Sequence, residues 1–345
     1  MAYTTINKSS DYFNTKLYTG NGSSQSITGI GFKPDFTWVK NRDTSAWHTL
    51  VDIVRGVTKT QYSNRADAQG TYSSSINAFN SDGFTVGNSG DVNNNGSNLV
   101  AWNWLAGGSQ GSSNTDGSIN TTYTSANTTS GFSITQYTGT GANATVGHGL
   151  GVTPKMYICK SFNEARSWAV YHQSMGNTKA VFLNSTDAQD TDNPYWNATS
   201  PTNSTVSLGH RSEMNHSGEP YIMYCFADVP GYSKFGSYVG NGSTDGTFVY
   251  TGFKPSLIIQ KNISATGNWI LYDNKRDVDN VADKILIPNS NSAEASACDV
   301  DLLSNGFKFR AVNDASSNKN GNTYIYMAFA SAPLVGSNGV TAKAR

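Results

Sequence analysis

The sequence predicts an all-β protein made of three tandem antiparallel β-sandwich domains of a jelly-roll or lectin-like kind. Three observations predict it. The composition suits short strands joined by tight turns, hydrophobic residues alternate with a period of two, and one set of anchors recurs three times at nearly constant offsets.

The 345 residues include 34 Gly and 37 Asn, and only 14% are charged. Solubility therefore rests on Asn, Ser, Thr and Gly, residues that favour turns and disfavour helix interiors. Aromatic residues make up 12% of the chain, which is enough to build real cores and excludes a low-complexity disordered chain. The 24 basic residues balance the 24 acidic ones, so no net field draws the chain to nucleic acid or to an anionic membrane. No apolar run reaches the length of a membrane-spanning helix, and the N-terminus has no apolar core of a secretory signal. Three widely spaced cysteines, Cys159, Cys225 and Cys298, form neither a disulfide framework nor a zinc pattern. These features predict synthesis and folding in a reducing cytoplasm.

The repeat is explicit. Tyr18-Thr-Gly-Asn-Gly22 returns as Tyr137-Thr-Gly-Thr-Gly141 and Tyr238-Val-Gly-Asn-Gly242. A Gly-x-x-Pro strand follows in each copy, with Pro34, Pro154 and Pro255 leading to Lys40, Lys160 and Lys261. Trp47, Trp168 and Trp269 come next and align as buried core positions. Each copy closes on an alternating strand after Gly96, Gly218 or Gly321. On the post-proline strand Phe36 and Trp38 align with Met156 and Ile158 and with Leu257 and Ile259. On the closing strand Trp102 and Trp104 align with Tyr224 and Phe226 and with Met327 and Phe329. These large residues share one face, read as the inside of each sandwich. The other face, carrying Val39, Cys159 and Gln260, or Asn103, Cys225 and Ala328, is mixed and reads as less buried.

The domains are accordingly 18–106, 131–229 and 238–333. Residues 1–17 form an N-terminal arm, 107–130 a Gly/Ser/Asn/Thr linker, 230–237 a short linker and 334–345 a C-terminal tail. The long first linker predicts that repeat one is held more loosely than repeats two and three.

Chemistry is sparse. His210, Glu213 and His216 match no zinc spacing, and the loop with Asp187, Asp190 and Asp192 lacks the glycine and terminal glutamate of an EF-hand. No paired carboxylates recur, and the Gly-rich segment from Gly139 lacks the Lys-Ser/Thr of a phosphate-binding loop. The reading is of no enzyme, no metal and no cofactor. Lys40, Lys160 and Lys261 read as solvated strand ends. Repeat two departs from its siblings in residues 184–205 and 209–217. Tyr195 and Trp196, in the first of these loops, are the candidate contact to a ligand or partner chain, with a local loop anchor as the alternative.

The opening MAYTTINKSSDYFNTKLYTGNG, the repeated YTGNG and GFKPD blocks, and the run YSKFGSYVGNGSTDGTFVYTGFKPS resemble a family of tailed-phage virion structural proteins of tail-fibre-like type, common in marine phages. The resemblance implies a non-enzymatic protein on the virion surface, tail-associated and contributing to carbohydrate attachment at the host surface, with capsid decoration or a head fibre as the alternative. It implies other virion proteins and a host glycan as partners, multiple copies or a homo-oligomer, and no nucleic acid or membrane insertion.

Overall fold

The computed structural model describes residues 4–191 and 195–333. The fold is all-β and antiparallel, and helix is confined to single turns such as Gly90–Asn93 and Ser212–Asn215. Among the described residues no helix is long and apolar enough to cross a membrane.

Each repeat contributes one large sheet in which four common strands keep the same order. In repeat one these are Phe13–Thr19, Asn98–Trp104, Phe36–Asn41 and Thr49–Asp52. In repeat two they are Phe132–Thr138, Pro220–Phe226, Met156–Ser161 and Ala169–His172. In repeat three they are Ser233–Val239, Thr323–Pro333, Phe253–Asn262 and Trp269–Asp273. A smaller sheet packs over one face in a sandwich-like way: three strands in repeat one, two in repeat two and four in repeat three.

The recurrent Tyr-x-Gly-x-Gly has a mechanical cause. A fully buried asparagine in the turn before the closing strand clamps it. The Asn93 side-chain oxygen accepts the Asn21 amide at 2.9 Å, Asn215 that of Thr140 at 2.8 Å, and Asn318 that of Asn241 at 3.0 Å. The tyrosine hydroxyl pins the same turn by donating to the carbonyl of Val92, Met214 or Ser317 at 2.6–2.7 Å. The first glycine is required by close approach: a Cβ on Gly20, Gly139 or Gly240 would stand 2.2–2.4 Å from a backbone oxygen.

The large inward-facing residues do not fill three separate sandwiches. Phe36, Trp38, Trp102 and Trp104 meet Met156, Ile158, Tyr224 and Phe226, and Leu257, Ile259, Met327 and Phe329, in one core shared by all three repeats. The three large sheets thus stand around a pseudo-threefold axis. Each sandwich interior is built instead by the face read from the sequence as less buried. Val39, Cys159, Cys225, Ile258 and Ala328 are all fully buried against their own small sheets. Both faces of each large sheet are covered, so Phe36–Asn41 and Met156–Ser161 are buried at every residue. Alternation shows which residues share a face, and says nothing of what covers it.

The repeats close into a ring through backbone hydrogen bonds. Gln69 of repeat one donates its amide to the Phe162 carbonyl of repeat two, Gln189 of repeat two to Ile263 of repeat three, and Glu294 of repeat three back to Arg42 of repeat one, at 2.8–3.2 Å. Repeat one is therefore gripped on two sides rather than held loosely.

The three strand-end lysines are not solvated, each being at most 1% exposed, and two of them bond across the seams of this ring. Lys160 donates to the Ala66 carbonyl of repeat one at 2.9 Å, and Lys261 to Thr186 of repeat two at 3.0 Å. Lys40 donates to Asn41 and Thr44 of its own repeat. Desolvation holds the Lys160 ammonium down at about 7 and those of Lys40 and Lys261 at about 8.

Trp168 and Trp269 are buried, but Trp47 is half-buried and out of register. Its repeat position belongs to His48. The His48, Trp168 and Trp269 amides each donate to an equivalent asparagine, Asn64, Asn184 or Asn289. The indoles then reach across the seams, Trp168 to the Tyr62 and Arg65 carbonyls and Trp269 to Phe182. His48 accepts from Trp38 at Nδ1, while its Nε2 faces the third repeat without a hydrogen bond of normal geometry.

Each seam also carries a polar contact at the strand end. Asp52 holds Arg55 in a buried ion pair and accepts the Tyr224 hydroxyl of repeat two at 2.7 Å. Asp273 holds Arg276 at 2.6 Å and accepts the Trp102 indole of repeat one at 3.1 Å. At the remaining seam the cross-seam position is Met327, which has no such donor, and the charged pair is absent: His172 and Met175 stand in place of Asp and Arg. His172 accepts the Ser174 amide at Nδ1, so Nε2 carries the proton and donates to the Tyr326 carbonyl at 3.1 Å.

Burial lowers the His172 imidazole from 6.5 to about 4. The folded state then binds fewer protons than the unfolded chain between those values. Stability is held above pH 6.5 and falls as pH drops toward 4, by on the order of 3 kcal/mol from this residue. Asp35 acts in the opposite sense, because burial raises its carboxyl to about 6 and stabilises the fold as pH falls from 6 toward 3.8. The His172 contribution is therefore best isolated by difference. His172→Gln is expected to lose that part of the acid slope, and urea midpoints at pH 7.5 and 5 in both proteins check it; parallel slopes would refute it.

The boundaries differ from the sequence reading. The arm is not separate, since Phe13–Thr19 is an edge strand of the first large sheet. Within the 107–130 tract, Tyr123–Asn127 adds a strand beside Phe132–Thr138, and Ile119 bridges Val146. The short second linker is taken up by Tyr232, fully buried, and the strand starting at Ser233. The tail 334–345 lies outside the described residues.

Candidate functional site

Tyr195 and Trp196 are fully buried in the second sandwich and present no surface to a ligand. Trp196 packs edge-on against Tyr157 and Tyr171, and its indole donates to the Lys179 carbonyl at 2.8 Å. Tyr195 donates its hydroxyl to Asp190 and receives Arg211 at 3.1 Å. The small sheet of repeat two has only the strands Ala144–Gly147 and Thr205–Leu208. The pair fills the apolar volume that further strands fill in the other copies, which is the loop-anchor role. The second departure, 209–217, is no departure in shape: Ser212–Asn215 forms the same clamping turn as Gly90–Asn93. Among the described residues no three His, Cys, Asp or Glu side chains come together as for a metal, and Asp192 lies outside them. All three cysteines are free thiols, and burial pushes Cys159 up to about 12.

The exposed aromatic surface lies elsewhere, on the outer face of the third repeat's small sheet. Strand Phe248–Tyr250 alternates. Val249 is buried in the third core, while Phe248 is 44% and Tyr250 57% exposed on the same face. Register sets Phe248 opposite Lys308 and Tyr250 opposite Gly306. The glycine matters, since a Cβ there would stand 2.1 Å from the Val249 carbonyl and 3.1 Å from the Phe248 ring. The ring lies along the sheet because nothing at Gly306 lifts it.

A charged rim borders the rings. Lys308 pairs with Asp245 at 2.5 Å, and Arg310 with Asp301 at 2.6 Å and Asp245 at 3.7 Å. The Lys308 hydrogen bond holds the Asp245 carboxyl below its usual value. Such exposed pairs add little stability. Their two positive and two negative groups cancel, leaving a dense set of donors and acceptors without net charge. A flat aromatic surface beside such a rim suits a ring-shaped, hydroxylated, uncharged molecule: C–H faces stack on the rings and hydroxyls bond to the rim.

This surface belongs to one repeat. The residues in register with Phe248 and Tyr250 are Ser26 and Thr28 in repeat one, and Thr145 and Gly147 in repeat two. Thr145 is moreover covered, because its carbonyl accepts the Ile119 amide and its hydroxyl that of Ser118. The signal was present in the sequence as Thr-Phe-Val-Tyr-Thr, two aromatics flanking a buried valine where the siblings carry small polar residues. The substitution keeps the repeat's frame and length, so no inserted loop marks it.

No curated protein matches the chain. A family model described as a domain of unknown function, DUF7483, matches residues 8–333, and the chain belongs to that family.

Proposed function

We propose that the protein is a non-enzymatic component of a tailed-phage virion surface, tail-associated, that contacts host carbohydrate through Phe248, Tyr250 and their charged rim. The accompanying fold reading is three tandem lectin-like or jelly-roll sandwiches. The observation that carries the proposal is the exposed aromatic pair found in one repeat of three, at positions where the other two repeats carry Ser26 and Thr28 or Thr145 and Gly147. The resemblance to virion proteins supplies the setting.

The pseudo-threefold ring favours a second reading, capsid decoration or a head fibre. One chain with three like sheets around an axis can seat on a threefold site of a shell as a trimer would.

Two measurements separate these readings. Antibody-labelled virions imaged by electron microscopy place the chain on tail or head. The variant Phe248→Ala with Tyr250→Ala is expected to melt like the wild type, within about 0.5 kcal/mol, since both side chains are exposed. Adsorption of the protein to host cells should fall about tenfold or more, two stacked rings being worth about 0.5–1.5 kcal/mol each. Unchanged adsorption would remove these residues from the contact, and loss of polysaccharide viscosity on incubation would show an enzyme.

A further inference from the structure

The three seams are built on one plan, and among the described residues one of them is left open. Beyond the strand-end residues Asp52, His172 and Asp273, the next residue faces the first strand of the following repeat. At the first seam the two positions are Ile53 and Ile134, both apolar parts of the shared core. At the second, Gln173 donates its side-chain amide to the Phe235 carbonyl at 3.0 Å and closes the gap. At the third the positions are Asn274 and Thr15, and a cavity of about 190 Å³ lies between repeats three and one. One water needs only about 10–15 Å³ by this kind of measure.

The cavity is polar and cationic. Thr15 is 6% exposed, where its siblings are Ile134 and Phe235, and its hydroxyl makes no hydrogen bond. The side-chain oxygen of Asn274, also shielded, makes none. Ser256 and Ser331 donate to backbone carbonyls and keep their lone pairs for a ligand. The exposed Lys275 is among the lining residues, and no acidic side chain is among the described residues lining this cavity. A wider neighbouring cavity of about 470 Å³ shares Asn274 and Lys275 and adds Lys254 together with one acidic residue, Asp279. Neither lysine is in an ion pair among the described residues.

We infer that this open seam between repeats three and one binds a sugar acid, a hydroxylated ring bearing a carboxylate. An amide oxygen can only accept, so it asks for a hydroxyl donor. The Thr15 hydroxyl can serve a second hydroxyl as donor or acceptor. The unpaired ammonium of Lys275 answers a carboxylate with a charge-assisted bond. Inorganic phosphate satisfies the lysine but offers too few hydroxyls to serve both Asn274 and Thr15, and a neutral sugar satisfies Asn274 but not the lysine. The seam lies apart from the outer face of repeat three, and this assignment does not rest on Phe248 and Tyr250.

Isothermal titration of the full chain with sodium glucuronate, with glucose and inorganic phosphate as comparison probes, tests it. Saturable glucuronate binding is expected, with both comparison probes weaker by about tenfold or more. Lys275→Gln, an exposed substitution, and Thr15→Val should each weaken glucuronate by about tenfold, with melting temperature confirming that both variants fold. The titrations are repeated in the Phe248→Ala, Tyr250→Ala background, so that carbohydrate held by the outer face of repeat three does not contribute. Three results would each overturn the assignment: no saturable glucuronate binding, affinity unchanged in Lys275→Gln, or phosphate bound as tightly as glucuronate.

Discussion

Replacing Arg276 by leucine is expected to destabilise the protein by about 3–5 kcal/mol, the cost of leaving a buried charge uncompensated. The guanidinium is fully buried, with Asp273 at 2.6 Å, Glu294 at 3.0 Å and the Leu271 carbonyl at 3.1 Å. Without it, Asp273 keeps the Trp102 indole and two backbone amides but no cation. The second repeat shows how the site is built without charge, with His172 and Met175. Asp273→His combined with Arg276→Met should therefore lose less than Arg276→Leu alone, because the orphaned carboxylate is removed as well. Urea denaturation of the three proteins decides it. A double variant as unstable as the single one would mean that the neutral pair works only opposite Met327.

Trp168→Ala carries the second large effect, about 3–5 kcal/mol for a buried aromatic. Its indole is fully buried, lines the small apolar cavity of about 20 Å³ near the axis, and donates to the Tyr62 and Arg65 carbonyls of repeat one at 3.0 Å each. Truncation enlarges that cavity and cuts two bonds across a seam. Trp47→Ala should be far milder, about 1 kcal/mol, because that ring is half-buried and mainly stacks under Arg65 at 3.9 Å. Equal losses from the two would restore Trp47 to the repeat frame. Chemical denaturation followed by tryptophan fluorescence makes the comparison.

Much of the fold is legible in the sequence because its constraints are local. The Tyr-x-Gly-x-Gly turns, the post-proline strands and the closing strands carry their reasons within one repeat, as the clamp on Gly20, Gly139 and Gly240 shows. What each face packs against is set by other repeats, and there the reading reverses. Lys160 looks like a solvated strand end until the Ala66 carbonyl, 94 positions away, is placed beside it. Trp47 aligns by residue type, while hydrogen bonding shows His48 to be the third member. The candidate contact failed for a related reason. Tyr195 and Trp196 are distinctive because repeat two lacks part of its small sheet and needs filling, so distinctiveness marked packing and not binding. Phe248 and Tyr250 kept the repeat's frame and changed only what the strand displays.

The closed ring also bears on how such a molecule can change. In a homotrimer every substitution arrives three times, once per subunit, and a useful residue at one interface is imposed on the other two. Here the same geometry is spelled out in a single chain, so each position exists once. The ion pair could be exchanged for His172 and Met175 opposite Met327 while Asp52 and Asp273 kept theirs. An aromatic display could arise on one outer face without burdening the solubility of its siblings. Fusion turns a symmetric scaffold into three independently editable copies, of which two can hold the architecture while the third specialises.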